Sequence, residues 1–363
     1  MSTERSYLLP GEFIFEDTAF PRELAIENVG FVCGSETDTS NLRPGKDLEA
    51  RLSLHVRSSI FWRAGGDTQP VQDQYGNEYR IGTIKGAVLD EPHIEDSSYE
   101  TDGMRIFGLQ HPHDALQSIL KSTLLRSLGI STEWVFAAFH PTAYPSPQKS
   151  THASAPLLSV RTFMEGLPAY KTMGKALFES PEEMQQVASQ IEPMVTFRLM
   201  RSGLRLADFS KLYEYNRYSF PQNELDMVFS DICPLLHALG EGALDYTLSD
   251  ADKKWHIGKY FTALFPAMLG RTVKAFHRHG LAHNYLHGGN VTLHGEIVDT
   301  ESITGNLPWL TKNESDYTHI AQKGDVQRFR RDFVDALSSL EHIVGHLWIS
   351  KAVSVFDEAY KEN

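Results

Sequence analysis

Strand-like segments come first in this chain and helix-like segments follow, and this order constrains the fold more than any other feature. Two apolar runs, SLHVRSSIFWRAGG and NEYRIGTIKGAVL, lie within residues 53–89, and Tyr75, Gly76 and Asn77 give a turn signal between them. From residue 180 onward, apolar residues recur at spacings of three and four, which is typical of helices. The order predicts an α+β protein with two lobes, one rich in strands and one helical.

Helical patterns are clearest in the segment HPHDALQSILKSTLLRSLGIST and in the second half of the chain. In that segment four leucines repeat every four residues, and Gly129 is a natural helix stop. The leucines are Leu116, Leu120, Leu124 and Leu128. The helical regions predicted further along are 222–239, 259–280 and about 325–360. Residues 302–324 are expected to form a loop that could act as a lid or contact a substrate.

The composition excludes several classes of protein. With 363 residues, 41% hydrophobic and 22% charged, the chain can bury a sizeable core. A formal net charge of −13 argues against partners such as nucleic acid or an anionic membrane. Only two cysteines are present, Cys33 and Cys233, so neither a disulfide framework nor a cysteine zinc site is expected. We find no signal peptide and no apolar run of membrane-spanning length, and we expect a cytoplasmic protein.

The strongest chemical signal lies in residues 277–301, HRHGLAHNYLHGGNVTLHGEIVDTE. A loop rich in His, Asn and Gly leads there into two short apolar strands joined by a turn at His294 and Gly295. This layout places an amide, Asn290, and a carboxylate, Asp299, at the ends of a hairpin. Two such oxygen ligands could hold Mg²⁺, and ATP-dependent transferases of the kinase type use such a pair. Ordinary turn chemistry is the other interpretation of both residues.

The segment HNYLHGGNV resembles the HGDLHPGNV-type loop of aminoglycoside phosphotransferases and related small-molecule kinases. Their first His, Leu, second His, last Gly, Asn and Val fall on His283, Leu286, His287, Gly289, Asn290 and Val291. VDTE is similar to their metal-binding Asp followed by Trp-Glu. The nine-residue step from Asn290 to Asp299 is closer to the selenoprotein O group, kinase-fold proteins that transfer AMP. The resemblance implies a two-lobed protein-kinase-like fold with ATP and Mg²⁺ between the lobes, and with Asn290 and Asp299 as metal ligands.

A second segment, DGMRIFGL…LRSLGIST with the upstream IKGA, resembles the selenoprotein O segment DGRAVL…LGIPT. In that family this segment carries a helix that orients a phosphate-binding lysine, and the resemblance implies that Lys85 is this lysine. Thr123 stands where the family has a glutamate on the helix, and Glu100 or Asp102 could replace it from the preceding loop. Taken alone, Lys85 is an ordinary strand lysine with its ammonium group in solvent.

Together the two resemblances cover about residues 80–132 and 277–301. We therefore expect an N-terminal extension over residues 1–50 and a β-rich lobe with one orienting helix over residues 51–165. A helical lobe that contains the catalytic-type loop is expected over residues 166–363.

The nucleotide-binding residues are predicted from the segment SAPLLSVRTFMEG, residues 154–166, which is expected to be a buried strand running into a hinge. Met164 and Glu165 would lie where an adenine ring docks, although a plain core strand fits the pattern equally well. Arg161 and Lys171 are candidates for phosphate contacts, and solvated surface positions are the commoner fate of such residues.

The general base is missing from its usual place in this loop. The phosphotransferases have a catalytic Asp five residues before the Asn, where this chain has Tyr285. Selenoprotein O proteins lack that Asp but keep an acid just before the Asn, where this chain has Gly289. A phenol, with an ordinary pKa of about 10, is a poor base. The other candidates are His283, His287 and Glu301, and His287 is more typical of a residue that organises the loop. An acceptor that is already ionised, such as a carboxylate or a phosphate, would need no base.

These expectations favour an atypical ATP- and Mg²⁺-dependent transferase that moves a phosphoryl group or AMP to an acceptor. A small metabolite is the favoured acceptor, and a protein acceptor stays open. The alternative is a pseudokinase that binds nucleotide without turnover and acts as a scaffold or regulator, because the catalytic Asp and a clear G-x-G-x-x-G loop are missing. A zinc metallohydrolase comes third: His283 and His287 are spaced as in H-E-x-x-H, but Asn284 replaces the general-base Glu.

Overall fold

The protein is a mixed α+β protein in which a large sheet and a set of helices are formed by different parts of the chain. The structure is a computed structural model. It describes residues 3–20, 31–33, 42–50, 58–64, 69–86, 88–89, 110, 112–144, 157–159, 162, 194–209, 224–240, 247–309 and 318–362. The chain divides into two compact units. The first consists of Met1–Arg51, His55–Leu120 and Trp134–Leu199, and the second of Leu52–Leu54, Lys121–Glu133 and Met200–Asn363.

The first unit is built on a sheet that has nine strands among the described residues, in the order β2-β10-β13-β8-β5-β4-β1-β3-β9. These strands are β1 (Thr3–Leu8), β2 (Gly11–Glu16), β3 (Phe31–Cys33), β4 (Arg43–Ala50), β5 (Ser58–Arg63), β8 (Ile81–Lys85), β9 (Val88–Leu89), β10 (Trp134–Pro141) and β13 (Val195–Met200). The smaller strands pair as β6 (Val71–Gln72) with β7 (Glu78–Tyr79), and as β11 (Ala143–Tyr144) with β12 (Leu158–Ser159). The two strand-like runs predicted from the sequence are confirmed as β5 and as β7 to β9.

Strand composition explains the positions of β2, β10 and β13 in the sheet. β13 is buried at every residue and β10 at nearly every one, and an almost continuous apolar run such as WVFAAFHP suits a strand covered on both faces. β2 is mostly exposed and forms an edge of the sheet. Next to these strands, the rings of Phe20 and Phe136 stack with centroids 3.7 Å apart.

Residues 1–50 differ from the predicted N-terminal extension, because their described strands β1 to β4 are members of the sheet. β1 pairs with β4, and β2 pairs with β10 across a large sequence separation. The predicted boundary near residue 165 also differs from the division at residue 200. Non-local strand pairs of this kind leave no local sequence pattern, so periodicity could not reveal them.

The helices of the described residues lie mostly in the second half of the chain. They are α1 (Pro112–Ser127), α2 (Glu224–Ala238), α3 (Asp250–Lys259), α4 (Phe265–Arg278), α5 (Thr318–Val344) and α6 (Ile349–Lys361). A π-helical turn, Tyr260–Leu264, joins α3 to α4. α5 begins at Thr318, so the predicted loop over residues 302–324 is wrong at its end. The helices predicted at 222–239 and 259–280 are confirmed.

The leucine repeat of α1 is packed at its second half, where Leu124 and Leu128 contact the core, and exposed at its first half. Leu116 and Leu120 are 50% and 37% exposed, whereas Ala115 and Ile119 are buried. Ala115 and Ile119 pack in a small apolar cluster with β10 side chains. The repeat predicted a helix correctly because leucine favours helix on any face, but the first half of the helix packs through Ala115 and Ile119 instead.

The core of the second unit forms around α4, α5 and α6. Phe329 lies between the rings of Phe333 and Phe356, with centroids 5.5 and 5.2 Å away. α4 and α6 approach closely at Gly270, where an added Cβ would lie 2.6 Å from the carbonyl oxygen of Phe356. The predicted apolar register of the C-terminal segment, through Phe329, Phe333 and Leu337, is confirmed, since all three are buried. This core supports the loop that follows α4.

Candidate functional site

The segment after α4 forms a loop followed by a short hairpin, as the sequence predicted. β14 (Leu281–Ala282) and β15 (Thr304–Gly305) pair antiparallel and frame this segment. Inside the frame, Val291 and Ile297 form an antiparallel bridge. Gly295 closes the turn with a φ of +71°, a conformation that glycine adopts without strain.

The open end of the hairpin brings the two predicted metal ligands together. The N–H of Val298 donates to the carbonyl oxygen of Asn290 at 3.0 Å, and Asp299 is the next residue. Nη1 of Arg205 donates both to the carbonyl oxygen of Gly289 and to Oδ2 of Asp299. Asn290 and Asp299 are therefore neighbours at one end of the hairpin.

Asn290 is held by main-chain contacts that fix the direction of its amide. It ends a single 3₁₀ turn, Gly288–Asn290, and is 7% exposed. Its Nδ2 donates to the carbonyl oxygen of Tyr285 at 2.9 Å, and its backbone N–H donates to the carbonyl oxygen of His287 at 2.9 Å. With Nδ2 engaged in this way, Oδ1 is the atom of this side chain that can act as a ligand.

Asp299 sits in a strained backbone conformation with several partners. Its φ of 58° and ψ of 56° are left-handed, which is uncommon for a residue other than glycine and is often found at functional sites. Its N–H donates to Oε1 of Glu133 at 2.8 Å, and the N–H of Thr300 donates to the same oxygen at 3.4 Å. Its carboxylate forms an ion pair of 2.5 Å with Arg205.

Arg205 is the residue of this site that the sequence did not reveal. It is 1% exposed, it donates to Asp299 and to the Gly289 carbonyl, and its own N–H donates to Oδ2 of Asp208 at 2.7 Å. A lone arginine in the segment LRLADF matches no motif, and the only signal was an acid three residues later. The cation compensates the charge of Asp299 and links it to the loop before Asn290.

His283, a candidate base, is fully buried and has both ring nitrogens engaged. Nε2 lies 2.9 Å from the carbonyl oxygen of Val298, an acceptor only, so this nitrogen carries the proton. Nδ1 lies 3.1 Å from Oγ of Ser302, which donates to it. The backbone N–H of His283 donates to Asp325 at 2.7 Å. These contacts fasten the start of the loop to the residue before Asp299, and they leave His283 no nitrogen to accept a substrate proton.

His287 caps the 3₁₀ turn that carries Asn290. Its Nδ1 accepts from the N–H of Gly289 at 3.0 Å, so the proton of the neutral ring is on Nε2. Burial lowers the pKa of His287 to about 4, although the carboxylate of Asp332 opposes that shift. The ring is therefore neutral near pH 7, and its accepting nitrogen is engaged. This geometry supports the role of loop organiser that the sequence favoured for His287.

Tyr285, at the position of the missing base, points away from the buried loop. Its side chain is 60% exposed. The guanidinium carbon of Arg328, on α5, lies 5.6 Å from the centroid of its ring, within the range of a cation–π contact. Only its carbonyl oxygen, which accepts from Asn290, contacts a predicted ligand.

Glu301, the remaining candidate base, is contacted through its main chain. Nζ of Lys121, on α1, donates to the carbonyl oxygen of Glu301 at 2.7 Å. Glu301 lies in the 3₁₀ turn Thr300–Ser302 directly after Asp299, and it is half-buried. Lys121 therefore positions this turn.

Two further carboxylates that the sequence did not single out hold the loop from α5. Asp325, fully buried, accepts from the N–H of His283 and, at 3.4 Å, from that of Leu286. Asp332 accepts from the N–H of Gly288 at 3.2 Å. A signal for Asp325 was present, since it stands four residues before Phe329 and so on the apolar face of the predicted helix.

The nucleotide-binding predictions fall on different parts of the chain. Lys85 is the last residue of β8, opposite Ser58 of β5, and it is half-buried. It belongs to the first unit, whereas Asn290 and Asp299 belong to the second. The other four candidates, Arg161, Met164, Glu165 and Lys171, lie outside the described residues.

At the other end of the hairpin, a second carboxylate is buried without an ion pair to a guanidinium. Glu296 is fully buried and accepts from the N–H of Arg201 at 2.9 Å, from the N–H of Ser202 at 3.3 Å and from the hydroxyl of Thr292 at 3.0 Å. Burial raises the pKa of Glu296 to about 7, although these donors and the charge of Arg201 oppose the shift.

The oxygen ligands at the open end of the hairpin fit Mg²⁺ better than a transition metal. One amide and one carboxylate are hard oxygen ligands, and Mg²⁺ completes its shell with water and phosphate. Among the described residues, no group of three or more His, Cys, Asp or Glu side chains could hold a metal ion. The ion pair with Arg205 competes for the carboxylate of Asp299, so any Mg²⁺ site here would be weak without phosphate.

No family model matches the chain, and no curated protein matches it. Within the described part of the chain, the helices lack the combination of length and apolar character that crossing a membrane requires.

Proposed function

We propose that this chain is an atypical ATP- and Mg²⁺-dependent transferase with a two-lobed protein-kinase-like fold, which moves a phosphoryl group or AMP to a small-molecule acceptor. The observation that carries the proposal is the buried hairpin. Its main-chain hydrogen bond between Val298 and Asn290 brings Asn290 and Asp299 to the same end of the hairpin. The sequence resemblance of residues 283–291 supports it independently.

In this proposal Asn290 and Asp299 hold Mg²⁺, which when bound neutralises phosphate charge during transfer. His283, His287 and Asp325 fix the loop so that the two ligands keep their spacing. Lys85 contacts phosphate. Arg161, Met164, Glu165 and Lys171 are further candidates for contacts to the nucleotide.

The proposed reaction proceeds without a histidine base. Both nitrogens of His283 are engaged, and the accepting nitrogen of His287 is occupied by Gly289. A positioned base contributes about 10²–10⁴-fold to transfer onto a hydroxyl. A transition state that depends on positioning and charge neutralisation still permits transfer to an acceptor that needs no deprotonation.

The second candidate function is a pseudokinase, and the ion pair between Arg205 and Asp299 favours it. A fixed guanidinium 2.5 Å from the carboxylate performs part of the charge compensation that a metal would supply. Such a protein would bind nucleotide without turnover and act as a scaffold or regulator. The zinc metallohydrolase has no support from the geometry, because residues 283–287 form a loop rather than a helix and His283 has no nitrogen left for a metal.

Binding of ATP with and without Mg²⁺ tests the proposal directly. Isothermal titration of the wild type should show binding that depends on Mg²⁺ and is lost with EDTA. Asn290→Ala and Asp299→Asn should each weaken this binding about tenfold or more, since the first removes a metal ligand and the second removes the negative charge of the other ligand. Asp250→Asn, at an exposed position in the first turn of α3, is the matched control and should bind as the wild type does.

Turnover then separates the two candidate functions. With ATP labelled at the α- or the γ-phosphate, transfer of the γ label indicates a kinase and transfer of the α label an AMP transferase. Mg²⁺-ATP binding without transfer of either label supports the pseudokinase. A folded wild-type protein that binds no Mg²⁺-ATP contradicts both, and circular dichroism of each variant shows whether lost binding reflects lost structure.

A further inference from the structure

The side chain of Arg328, a cation beside the candidate site, forms no ion pair with any residue that the structure describes. Arg328 lies on α5 with its guanidinium carbon 5.6 Å from the centroid of the Tyr285 ring. Its Nη1 is buried and has no hydrogen-bond partner among the described residues. A buried donor without a partner costs about 1–3 kcal/mol, so a ligand that accepts a hydrogen bond from it would be favoured.

The acids nearest to Arg328 along α5 are already engaged with other donors. Asp332, one turn further on, accepts from the N–H of Gly288 at 3.2 Å and from Nε of Arg331 at 3.2 Å. Asp325, one turn earlier, accepts from the N–H groups of His283 and Leu286. Among the residues that the structure describes, none forms an ion pair with Arg328. The positive charge of Arg328 is therefore uncompensated within this part of the protein.

The location of this cation bears on the chemistry of the acceptor. Tyr285 occupies the sequence position where the resembling kinases have their base, and its exposed ring supports the guanidinium of Arg328. A carboxylate at that position would deprotonate a hydroxyl. A cation instead attracts an acceptor that has already lost its proton, and guanidinium groups bind carboxylates and phosphates through two parallel hydrogen bonds.

We propose that Arg328, supported by the ring of Tyr285, binds the anionic oxygen group of the acceptor, a carboxylate or a phosphate. This inference rests on the proposed transferase function. An oxygen of the acceptor forms a bond to the transferred phosphorus while the bond to the departing phosphate oxygen breaks. ADP leaves in a phosphoryl transfer and pyrophosphate in an AMP transfer, each with the bonding electron pair. No proton moves, so the atoms balance without a base. The product is a mixed anhydride when the acceptor is a carboxylate and a phosphoanhydride when it is a phosphate.

Anion binding to full-length variants tests this inference. We would titrate succinate, glycerol 3-phosphate and the uncharged 1,4-butanediol into protein that holds Mg²⁺ and a non-hydrolysable ATP analogue. At least one anion should bind, and the diol should not. Arg328→Gln should weaken anion binding on the order of 10- to 100-fold, and Arg328→Lys should restore part of it. Lys323→Gln, an exposed cation on the same helix, is the matched control and should bind as the wild type does.

The titrations also separate failure of the inference from failure of the proposed function. If the ATP analogue binds to the wild type and neither anion does, or if Arg328→Gln binds the anion normally, the inference is overturned and the transferase stands. If Arg328→Gln loses the ATP analogue as well, Arg328 contacts nucleotide and the inference is overturned. Hydroxylamine added during turnover with succinate should trap an acyl phosphate or acyl adenylate as a hydroxamate, whereas transfer to glycerol 3-phosphate gives none.

Discussion

The two ends of one hairpin each hold a carboxylate, half-buried at Asp299 and fully buried at Glu296, and they compensate its charge in different ways. At the open end, Asp299 faces the guanidinium of Arg205 at 2.5 Å. At the turn end, three residues earlier, Glu296 accepts from two main-chain N–H groups and from the hydroxyl of Thr292. The first carboxylate has a directly bonded guanidinium, whereas the second has three hydrogen-bond donors and the charge of Arg201.

This difference distinguishes a carboxylate proposed to bind a metal from a carboxylate that joins two segments through hydrogen bonds. At Asp299 a guanidinium 2.5 Å away supplies a direct counter-charge to the carboxylate. At Glu296 desolvation outweighs the donors and raises the pKa to about 7, so near neutral pH this group is about as often protonated as ionised. Glu296 therefore joins the turn to Arg201 and Ser202, whereas Asp299 is the carboxylate that we propose as a metal ligand.

The largest effect is expected from removing the counter-charge at the open end. Arg205→Met keeps the approximate volume of the side chain but leaves the half-buried carboxylate of Asp299 without this guanidinium. We expect the free energy of unfolding to fall by about 3–5 kcal/mol, measured by urea denaturation at pH 7. Combining it with Asp299→Asn should recover part of the loss, because the unpaired charge is then gone.

The matched control is Arg330→Met, which breaks the ion pair with Asp357 on α6. This guanidinium is 38% exposed, so its loss should cost about 1 kcal/mol or less. If the two methionine variants are equally stable, Arg205 does not act as a buried counter-charge, and the contrast between the hairpin ends fails.

Sequence reasoning succeeded where a local pattern encodes the structure. Residues 288–298 contain a turn glycine between two apolar strands, and the hairpin follows from that pattern alone. The proximity of Asn290 and Asp299 was predicted because they stand at its ends. Asn290 and Asp299 lie close together because Val298, the residue before Asp299, pairs with Asn290. The register of the turn sets that pairing.

Sequence reasoning failed where a contact joins segments that are distant along the chain. Arg205 reaches Asp299 across 94 positions of sequence, and Asp325 reaches His283 across 42. No spacing rule encodes such contacts. His283 was a candidate base because a histidine in a loop looks free, and only the structure reveals that Val298 and Ser302 occupy its two nitrogens.

We expect Glu296, at the turn end, to make the free energy of unfolding depend on pH. The folded state holds the proton of Glu296 more tightly than the unfolded chain, whose ordinary pKa is 4.5. Between pH 4.5 and about 7 the folded state therefore binds more protons, and stability falls as pH rises through that interval. Glu296→Gln mimics the protonated form. Its stability relative to the wild type should rise from near zero at low pH to about 3 kcal/mol above pH 7.

Urea denaturation from pH 4 to 8 measures this difference. Glu78→Gln, at the exposed position of strand β7, removes a carboxyl group in the same way and should leave the pH dependence of the wild type unchanged. A constant difference between Glu296→Gln and the wild type across the range would mean that the turn end compensates its charge as fully as the open end does.

The smallest effect is expected from weakening the dipoles around Glu296. Thr292→Val removes the hydroxyl that donates to Oε2 at 3.0 Å and replaces it with a methyl group of similar size. A hydrogen bond to an ionised group contributes about 1.5–3 kcal/mol and one to a neutral group about 1, so the loss should be larger at pH 8 than at pH 5. Thr272→Val, which removes a helix bond to Met268 on α4, should cost the same at both pH values. Equal losses for Thr292→Val at the two pH values would place the charge of Glu296 beyond the influence of Thr292, and Arg201 would then be its main compensation.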